Sequence, residues 1–190
     1  MADKVGAVMV VGGGIAGIQS SLDLAESGYY VYMVETSPAI GGVMAQLDKT
    51  FPTNDCAMCI VSPKLVEAGC NLNINVLTAT DVESISGEPG NFTVRIRKRA
   101  RFVDLAKCTG CGDCARACPI TRPDEFNAQL NTRKAIYKRY PQAIPNAFAI
   151  EKRGEAPCRN ACPIEQRAMG YVALIRERRY ADAYRTIKED

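Results

Sequence analysis

The first thirty-five residues combine two apolar strands with one helix that has a single apolar face. Val5–Val11 is a short apolar run that predicts a strand, and the glycine-rich stretch after it predicts a tight turn. Residues Ile15–Ser27 predict a helix, which Gly28 ends. The apolar face of that helix consists of Ile15, Ile18, Leu22 and Ala25. Tyr29–Val34 predicts the second strand, so the chain opens with a strand, a turn, a helix and a strand.

The pattern of the remaining chain changes character at about Val103. Before that point a helix is predicted over Pro63–Ala68, because Ser62 suits its N-cap and Gly69 suits the position just past its end. A small β-meander is predicted from strands at Asn73–Leu77 and Phe92–Arg97 and a turn at Gly87–Gly90. From Cys108 the chain is irregular and interrupted by prolines, and Ala168–Asp190 predicts two short helices around Tyr180.

Composition excludes several classes of function. The chain has 47% apolar residues and a formal charge of +3, and its basic residues do not cluster, so nucleic acid is not an expected partner. No apolar run approaches the roughly 20 residues that span a bilayer, and we expect a cytoplasmic protein. The absence of His removes imidazole acid–base chemistry. The nine Cys residues are an odd number, and in a reducing compartment they predict metal ligands or redox thiols.

The glycine-rich turn fits the pattern G-x-G-x-x-G of dinucleotide-binding folds. Gly12 allows the tight turn, Gly14 lets the backbone approach a pyrophosphate, and Gly17 lets the helix pack closely on the strands. The helix N-terminus offers N–H groups to that pyrophosphate. Glu35 at the end of the second strand is expected to accept hydrogen bonds from a ribose. The alternative is a glycine turn without a ligand.

Four cysteines form the run C-x₂-C-x₂-C-x₃-C-P of 4Fe–4S ferredoxins. They are Cys108, Cys111, Cys114 and Cys118, followed by Pro119. Thiolates at these spacings wrap an iron–sulfur cube, and the alternatives are zinc or free thiols. Cys158 and Cys162 repeat the second half of the motif, C-x₃-C-P, and are predicted as further cluster ligands or as structural cysteines.

The wiring of these cysteines follows from the ferredoxin pattern, in which the fourth Cys of each run serves the other cluster. Cys108, Cys111 and Cys114 are then expected to hold one cube, and Cys162 is its fourth ligand. Cys118 and Cys158 are left as half of a second site. In the competing wiring, Cys118 closes the first cube.

Cys56 and Cys59 form a C-x-x-C pair shortly after the glycine pair Gly41-Gly42. They are candidates for a redox dithiol that forms no permanent disulfide. They could instead ligate a metal together with Cys70, or pack into the core as free cysteines often do.

These residues together resemble the A subunit of heterodisulfide reductase over about residues 5–150. The resemblance rests on Gly12 to Glu35, on the segment from Gly41-Gly42 to Pro52, on Cys56 to Lys64, and on the four-Cys run. It implies an α/β fold of the FAD-binding, Rossmann-like type, with FAD beside Gly42 and an inserted ferredoxin-like module that relays electrons to partner subunits. The methanogen type of this family begins with an additional N-terminal domain. This chain differs, because it is expected to start directly at the dinucleotide fold.

The stretch after residue 155 is instead similar to the iron–sulfur domain of the glutamate synthase small subunit. The expected domains are therefore an FAD-binding fold at 1–102, a 4Fe–4S ferredoxin-type segment at 103–155, and the start of a helical domain, truncated, at 156–190.

Three functions are compatible with these residues. The first is an oxidoreductase subunit that passes electrons between FAD and 4Fe–4S clusters in a heterodisulfide-reductase-like complex, with bifurcation left open. Its expected partners are other redox subunits, and docking to a membrane partner is also left open. The second is an NAD(P)H-oxidising flavoprotein of the glutamate synthase type. The third is a truncated, non-catalytic binding fragment.

Overall fold

The computed structural model describes residues 6–189. The chain forms two units, of which the first contains residues up to Cys111 together with Lys138–Ala149. The second contains Gly112–Tyr137 and the residues from Ile150 onward. The chain therefore passes between the units three times. The domain boundaries expected after residues 102 and 155 stay a prediction.

A parallel three-stranded sheet with two helices forms the centre of the first unit, a Rossmann-type α/β arrangement. The strands β1 (Ala7–Val11), β2 (Tyr30–Val34) and β3 (Ile74–Leu77) lie in the order β1-β2-β3. α1 (Ile15–Glu26) connects β1 to β2, and α2 (Ala57–Cys70) precedes β3. The first two predicted strands and the first helix are confirmed, although Val5 lies outside the described residues.

The core of this unit lies between the sheet and the two helices. Its large apolar side chains that are fully buried are Ile18 of α1, Val31, Met33 and Val34 of β2, Val61 and Leu65 of α2, and Ile40. Burying such side chains stabilises the fold by about 1.5–3 kcal/mol each. Because β2 is paired on both edges, it supplies more of this core than its neighbours.

The prediction for α2 was wrong at both ends. The helix begins at Ala57, six residues before the predicted first residue Pro63, and it continues through Gly69 to Cys70. Pro63 therefore lies inside the helix, where it cannot donate to the carbonyl one turn earlier. The Cys56 sulfur accepts a hydrogen bond from the Cys59 amide at 3.2 Å and takes the capping position that the sequence assigned to Ser62.

In place of the predicted meander there is an antiparallel hairpin of β4 (Thr80–Glu88) and β5 (Asn91–Lys98). The strand predicted at Asn73–Leu77 forms, but as β3 it pairs in parallel with β2 and not with β5. The strand predicted at Phe92–Arg97 is confirmed, and its partner β4 is the strand that the turn at Gly87–Gly90 implied. Phe92, Val94 and Ile96 alternate along β5, but Phe92 and Ile96 are exposed and Val94 is only half-buried.

The second unit contains short elements. Those that open it are α3 (Asp113–Ala117), β6 (Thr121–Pro123), β7 (Thr132–Lys134), and β8 (Ile136–Tyr137); β9 (Ala149–Ile150) lies where the chain returns to this unit. β6 and β7 are antiparallel. Three helices follow: α4 (Pro157–Asn160), α5 (Ala168–Arg176) and α6 (Tyr180–Lys188). The last two confirm the helix pair predicted around Tyr180, whereas a ferredoxin-like module stays a prediction.

No helix within residues 6–189 is both long enough and apolar enough to cross a membrane. This finding concerns helical spans alone. The cytoplasmic location stays a prediction.

Candidate functional site

The glycine turn between β1 and α1 is closed by backbone contacts that depend on glycine at Gly12 and Gly17. Gly12 has a φ of +102°, in the region that favours glycine, and its amide donates to the Val34 carbonyl at 2.7 Å. A Cβ atom on Gly17 would overlap the Gly12 carbonyl oxygen. Gly17 therefore allows α1 to start directly against the turn.

The N-terminus of α1 faces the space above the turn. Gly14 is the N-cap residue, and no side chain caps the helix there. The first amides of a helix have no carbonyl partner within it, so they are available to an anion. A Cβ atom on Gly14 would meet nothing within 4 Å. Backbone amides therefore line this open space, which suits a pyrophosphate.

Glu35 lies directly after β2 and holds the turn together. Its carboxylate accepts hydrogen bonds from the amides of Gly13 and Ser37, both at 2.7 Å. The sequence assigned Glu35 to a ribose, and the structure adds this second role. A carboxylate has about four acceptor positions, so capacity for ribose hydroxyls remains.

The second glycine pair approaches the first within contact distance. Gly41 and Gly42 have φ values of +125° and +55°, and the Gly41 amide donates to the Gly13 carbonyl at 2.6 Å. A Cβ atom on Gly42 would lie 2.8 Å from the Cα atom of Gly14. Only glycine permits this approach, so the two turns form one continuous backbone surface beside the α1 N-terminus.

A segment about one hundred residues later supports the second glycine pair. The Tyr140 hydroxyl donates to the carbonyl of Ile40, and the Ile40 amide donates to the Ile144 carbonyl at 2.9 Å. Burial raises the pKa of Tyr140 to about 12 and the charge of Glu35 adds to the shift, whereas Arg139 opposes it. The hydroxyl is therefore a donor throughout the neutral range. No motif in the sequence marks Tyr140.

A cavity of about 290 Å³ lies at the carboxyl ends of β1 and β2. Its lining includes Gly12, Thr36, Thr80 and Asp81. Ligands of open α/β sheets bind at this edge, so the cavity is in the place expected for the nucleotide end of a cofactor. A larger cavity of about 1000 Å³ in the same unit has no lining residue from the glycine turn.

The C-x-x-C pair is a disulfide between Cys56 and Cys59 at the start of α2, with Cα atoms 5.2 Å apart. Cys70 ends the same helix, about 20 Å away at a rise of about 1.5 Å per residue, so it cannot share a metal ion with the pair. Both paired cysteines are exposed, so they do not pack in the core. The redox role of the pair, without a permanent disulfide, stays a prediction.

The four-Cys run is divided by the boundary between the two units, after Cys111. In the first unit, the Phe148 amide donates to the Cys108 sulfur at 3.5 Å, and a Cβ atom on Gly110 would overlap the side chain of Asn146. Gly110 and Gly112 have φ values of +75° and +86° and turn the backbone as the motif requires. Within residues 6–189, no three Cys, Asp or Glu side chains are arranged to hold a metal ion.

The second unit holds the remaining predicted ligands. Cys114 and Cys158 are exposed, whereas Cys118 and Cys162 are half-buried. Two arginines of the C-terminal helix pair donate to backbone carbonyls on either side of Cys118: Arg179 to Ala117, and Arg176 to Pro119 at 3.0 Å. The helices after Cys162 are therefore attached directly to the end of the four-Cys run.

An ion-pair cluster around Arg133 stabilises the same unit. The guanidinium group is largely buried, contacts Glu151 at 2.7 Å and Glu125 at 3.0 Å, and lies 3.6 Å from the ring centre of Tyr137. Burial raises the pKa of Glu151, but the hydrogen bonds from Arg133 and Arg153 outweigh it and hold the pKa below its ordinary value. This cluster connects the strand β7 to the chain that follows β9.

The family model described as "FAD dependent oxidoreductase" matches residues 7–117, which include both glycine turns and the Cys56–Cys59 pair. The chain belongs to this family. It is therefore an oxidoreductase of the FAD-dependent type, and the sequence-based expectation of that class is confirmed.

Three relatives resemble much of the chain. The second iron–sulfur A subunit of the CoB–CoM heterodisulfide reductase of Methanopyrus kandleri is 53% identical over 148 residues, which cover 78% of this chain and 23% of the relative. The A subunit of the H₂/formate:CoB–CoM heterodisulfide,ferredoxin reductase of Methanococcus maripaludis is 54% identical, with coverage of 75% and 22%. A protein of Archaeoglobus profundus described as like the A subunit of heterodisulfide reductase is 47% identical, with coverage of 82% and 26%.

The predicted resemblance to the A subunit of heterodisulfide reductase is thereby confirmed. The chain spans about a quarter of the length of these relatives. The similarity of residues 156–190 to the glutamate synthase small subunit stays a prediction.

Proposed function

We propose that this chain binds FAD at its paired glycine turns and passes electrons between the flavin and 4Fe–4S clusters, as part of a heterodisulfide-reductase-like redox subunit. The observation that carries the proposal is the contact between the turns. Gly41 and Gly42 press against Gly13 and Gly14 beside the N-terminus of α1, and they leave a surface made of backbone alone.

The residues of the first unit divide the work of holding FAD. The amides at the start of α1 bind the pyrophosphate, and Gly14 leaves space for the pyrophosphate to approach the backbone. Glu35 accepts hydrogen bonds from the adenosine ribose. In this proposal the protein backbone at Gly42 runs beside FAD, next to the pyrophosphate. When bound, FAD would exchange electron pairs with one redox partner and single electrons with another.

The cysteines of the four-Cys run supply thiolates for the cluster. Cys108 already accepts the Phe148 amide, and such hydrogen bonds to sulfur tune the potential of a cluster. Cys111 and Cys114 add the next two thiolates of the run. Cys162 is the fourth ligand in the ferredoxin wiring, which leaves Cys118 and Cys158 as half of a second site, whereas Cys118 is the fourth ligand in the competing wiring.

The partners follow from the relatives, whose names describe subunits of heterodisulfide reductases. We propose other redox subunits of such a complex as electron donors and acceptors. Bifurcation extends the proposal, and it predicts that a low-potential acceptor is reduced only while a second acceptor is also present. An NAD(P)H-oxidising flavoprotein is the competing enzyme, and it requires a second dinucleotide fold.

Spectroscopy of the protein purified without oxygen tests the proposal. We expect flavin bands together with a broad cluster absorbance that dithionite bleaches. A featureless visible spectrum, with no flavin released on denaturation and no iron, would contradict it and favour a non-catalytic binding fragment. Flavin without iron would retain the FAD site and remove the cluster assignment.

A further inference from the structure

The Cys56–Cys59 disulfide is exposed at the beginning of a fourteen-residue helix, and its chemistry goes beyond the proposed flavin and cluster sites. We propose that it is a redox-active pair that undergoes thiol–disulfide exchange, with Cys56 as the reactive thiol. The proposal rests on three features of the described residues: the cap of α2, the position of Lys49, and the edge of the sheet at which α2 begins.

The first feature is the cap. The Cys56 sulfur is the N-cap group of α2 and accepts the Cys59 amide at 3.2 Å. When the disulfide is reduced, a negative charge on this sulfur lies at the positive end of the helix dipole and receives a backbone hydrogen bond. Thiolates in this position are stabilised relative to thiols, and the thiolate is the form that attacks disulfides. Cys59 lies further along the first turn and has no equivalent cap.

The second feature is a cation beside the pair. Lys49 and Cys56 are directly opposite in an antiparallel bridge, so their side chains leave the backbone on the same face. An ammonium group there favours the thiolate form of Cys56. Asp55 adjoins Cys56 in the same loop, and its carboxylate opposes this effect. The helix N-terminus therefore contributes more to stabilising the Cys56 thiolate than Lys49 does.

The third feature is the location of the pair in the first unit. α1 and α2 each lead into a strand of the same parallel sheet, so both helices begin at the edge where the carboxyl ends of the strands lie. The side chains of Lys64 and Gln19 are in contact, which places the two helices side by side. The disulfide therefore lies at the same edge of the sheet as the glycine turn.

A dithiol serves as the reductant in this exchange, so the electrons that enter the pair are accounted for. One thiolate of the dithiol attacks a sulfur of the pair, a mixed disulfide forms, and the other sulfur of the pair leaves as a thiolate. The second thiol of the reductant then breaks the mixed disulfide. Two electrons pass to Cys56 and Cys59, and the reductant becomes a disulfide. In the reverse direction, the Cys56 thiolate attacks a disulfide of the substrate, and Cys59 releases the product.

Equilibration with glutathione tests the redox activity. The protein, purified without oxygen, is incubated with buffers of reduced and oxidised glutathione, quenched with acid and alkylated, and each cysteine is quantified by peptide mass spectrometry. We expect Cys56 and Cys59 to change together from paired to alkylated as the buffer becomes more reducing. A pair that stays oxidised in excess reduced glutathione is a structural disulfide, and a pair that never oxidises is no disulfide at all. Either result overturns the proposal.

The rate of alkylation identifies the reactive thiol, and Cys70 is the internal reference because it is an exposed cysteine at the far end of the same helix. With limiting iodoacetamide at neutral pH, we expect reduced Cys56 to react at least about 10-fold faster than Cys70. Lys49→Gln should slow Cys56 severalfold, and Lys98→Gln, which removes an exposed charge elsewhere in the unit, should not. Equal rates for Cys56 and Cys70 would remove Cys56 as the reactive thiol.

Single replacements separate the roles of the two sulfurs. Cys59→Ser should leave Cys56 trapped as a stable mixed disulfide with glutathione, because the resolving thiol is gone. Cys56→Ser should give little mixed disulfide at Cys59, and comparable trapping in both variants would reverse the assignment. These measurements follow the sulfurs alone, so their outcome is distinguishable from a failure of flavin binding.

Discussion

The hydroxyl of Tyr140 donates to the backbone carbonyl of Ile40, and it thereby supports the turn that brings Gly42 against Gly14. A Cβ atom on Gly41 would overlap this hydroxyl. The tyrosine thus fills the space that the glycine leaves open. The expected flavin surface depends on a side chain that is remote in sequence from either glycine turn.

Replacing Tyr140 with Phe should destabilise the first unit and weaken its hold on FAD. The ring remains, but the buried Ile40 carbonyl loses a donor, which costs about 1–3 kcal/mol. Because the pKa of Tyr140 is raised to about 12 from an ordinary value of 10.0, its neutral form is the stabilising one. The difference from wild type should therefore be constant below pH 10.0 and shrink as pH rises toward 12.

Thermal unfolding and the dissociation constant of FAD measure the two effects of Tyr140→Phe. Tyr29→Phe is the control, because Tyr29 is an exposed tyrosine in the same unit. Unchanged flavin affinity in Tyr140→Phe, despite lower stability, would show that the tyrosine supports the fold and not the cofactor site.

Gly14→Val should lose FAD while keeping its fold. Gly14 has a φ of −76°, and a Cβ atom there meets nothing within 4 Å, so the structure accommodates the side chain. The new side chain would occupy the space in which the pyrophosphate approaches the backbone. We expect near-normal thermal stability of the apoprotein and a flavin content below about a tenth of wild type, since losing about 1.4 kcal/mol is already tenfold in affinity.

Gly17→Val is the matched comparison for Gly14→Val. Its Cβ atom would overlap the carbonyl oxygen of Gly12, so this variant should lose the fold along with the flavin. The pair of variants separates a packing glycine from a ligand-facing one. Normal flavin content in Gly14→Val would sink the assignment of the pyrophosphate to this turn.

The beginning of the fold was predictable because its signals are local. The apolar run before Gly12, the periodic face of α1 and the glycine that ends it are each contained within a few turns of chain. Glu35 was found for the same reason, since it follows the second strand at a fixed distance from the turn. Its bond to the Gly13 amide was not expected, because the motif refers only to the ligand.

The start of α2 was missed because Pro63 is usually a residue of the first helical turn. The pattern around Ser62 and Pro63 therefore concealed a helix that starts six residues before Pro63, with a cysteine as its cap. Tyr140 was missed for a different reason. Its partner lies 100 residues away, and contacts at that separation leave no periodic signal in a single sequence.

Glu151→Gln should destabilise the second unit at neutral pH by about 1–3 kcal/mol, because it breaks a charged hydrogen bond to the buried Arg133. The pKa of Glu151 is lowered in the folded protein, so its contribution is present above the ordinary value of 4.5 and is lost as pH falls through the folded pKa. Urea unfolding of wild type and variant at neutral pH and at pH values below 4.5 measures this difference.

Glu155→Gln is the control for Glu151→Gln, since Glu155 is an exposed glutamate four residues further along the chain. It should change stability by no more than about 0.5 kcal/mol at either pH. A gap between Glu151→Gln and wild type that persists unchanged in acid would exclude the ion pair as its cause.

Cys162→Ala should lower the iron content of the purified chain if the ferredoxin wiring holds. In that wiring Cys108, Cys111 and Cys114 hold three corners of one cube, and the last Cys of the second run holds the fourth. Removing the fourth thiolate should release most of the cluster or convert it to a three-iron form. Iron analysis and electron paramagnetic resonance of anaerobically prepared protein distinguish these outcomes.

Cys158→Ala is the matched control, because it removes the other thiolate of the same C-x₃-C-P motif and leaves the first cube intact in the ferredoxin wiring. Both variants keep the attachment of the C-terminal helices to the end of the four-Cys run, since Arg176 and Arg179 bind backbone carbonyls beside Cys118 and not a cysteine side chain. Loss of iron from Cys162→Ala alone therefore reports ligation and not misfolding. Four irons per chain in Cys162→Ala, together with their loss in Cys118→Ala, would instead establish local closure of the cube by Cys118.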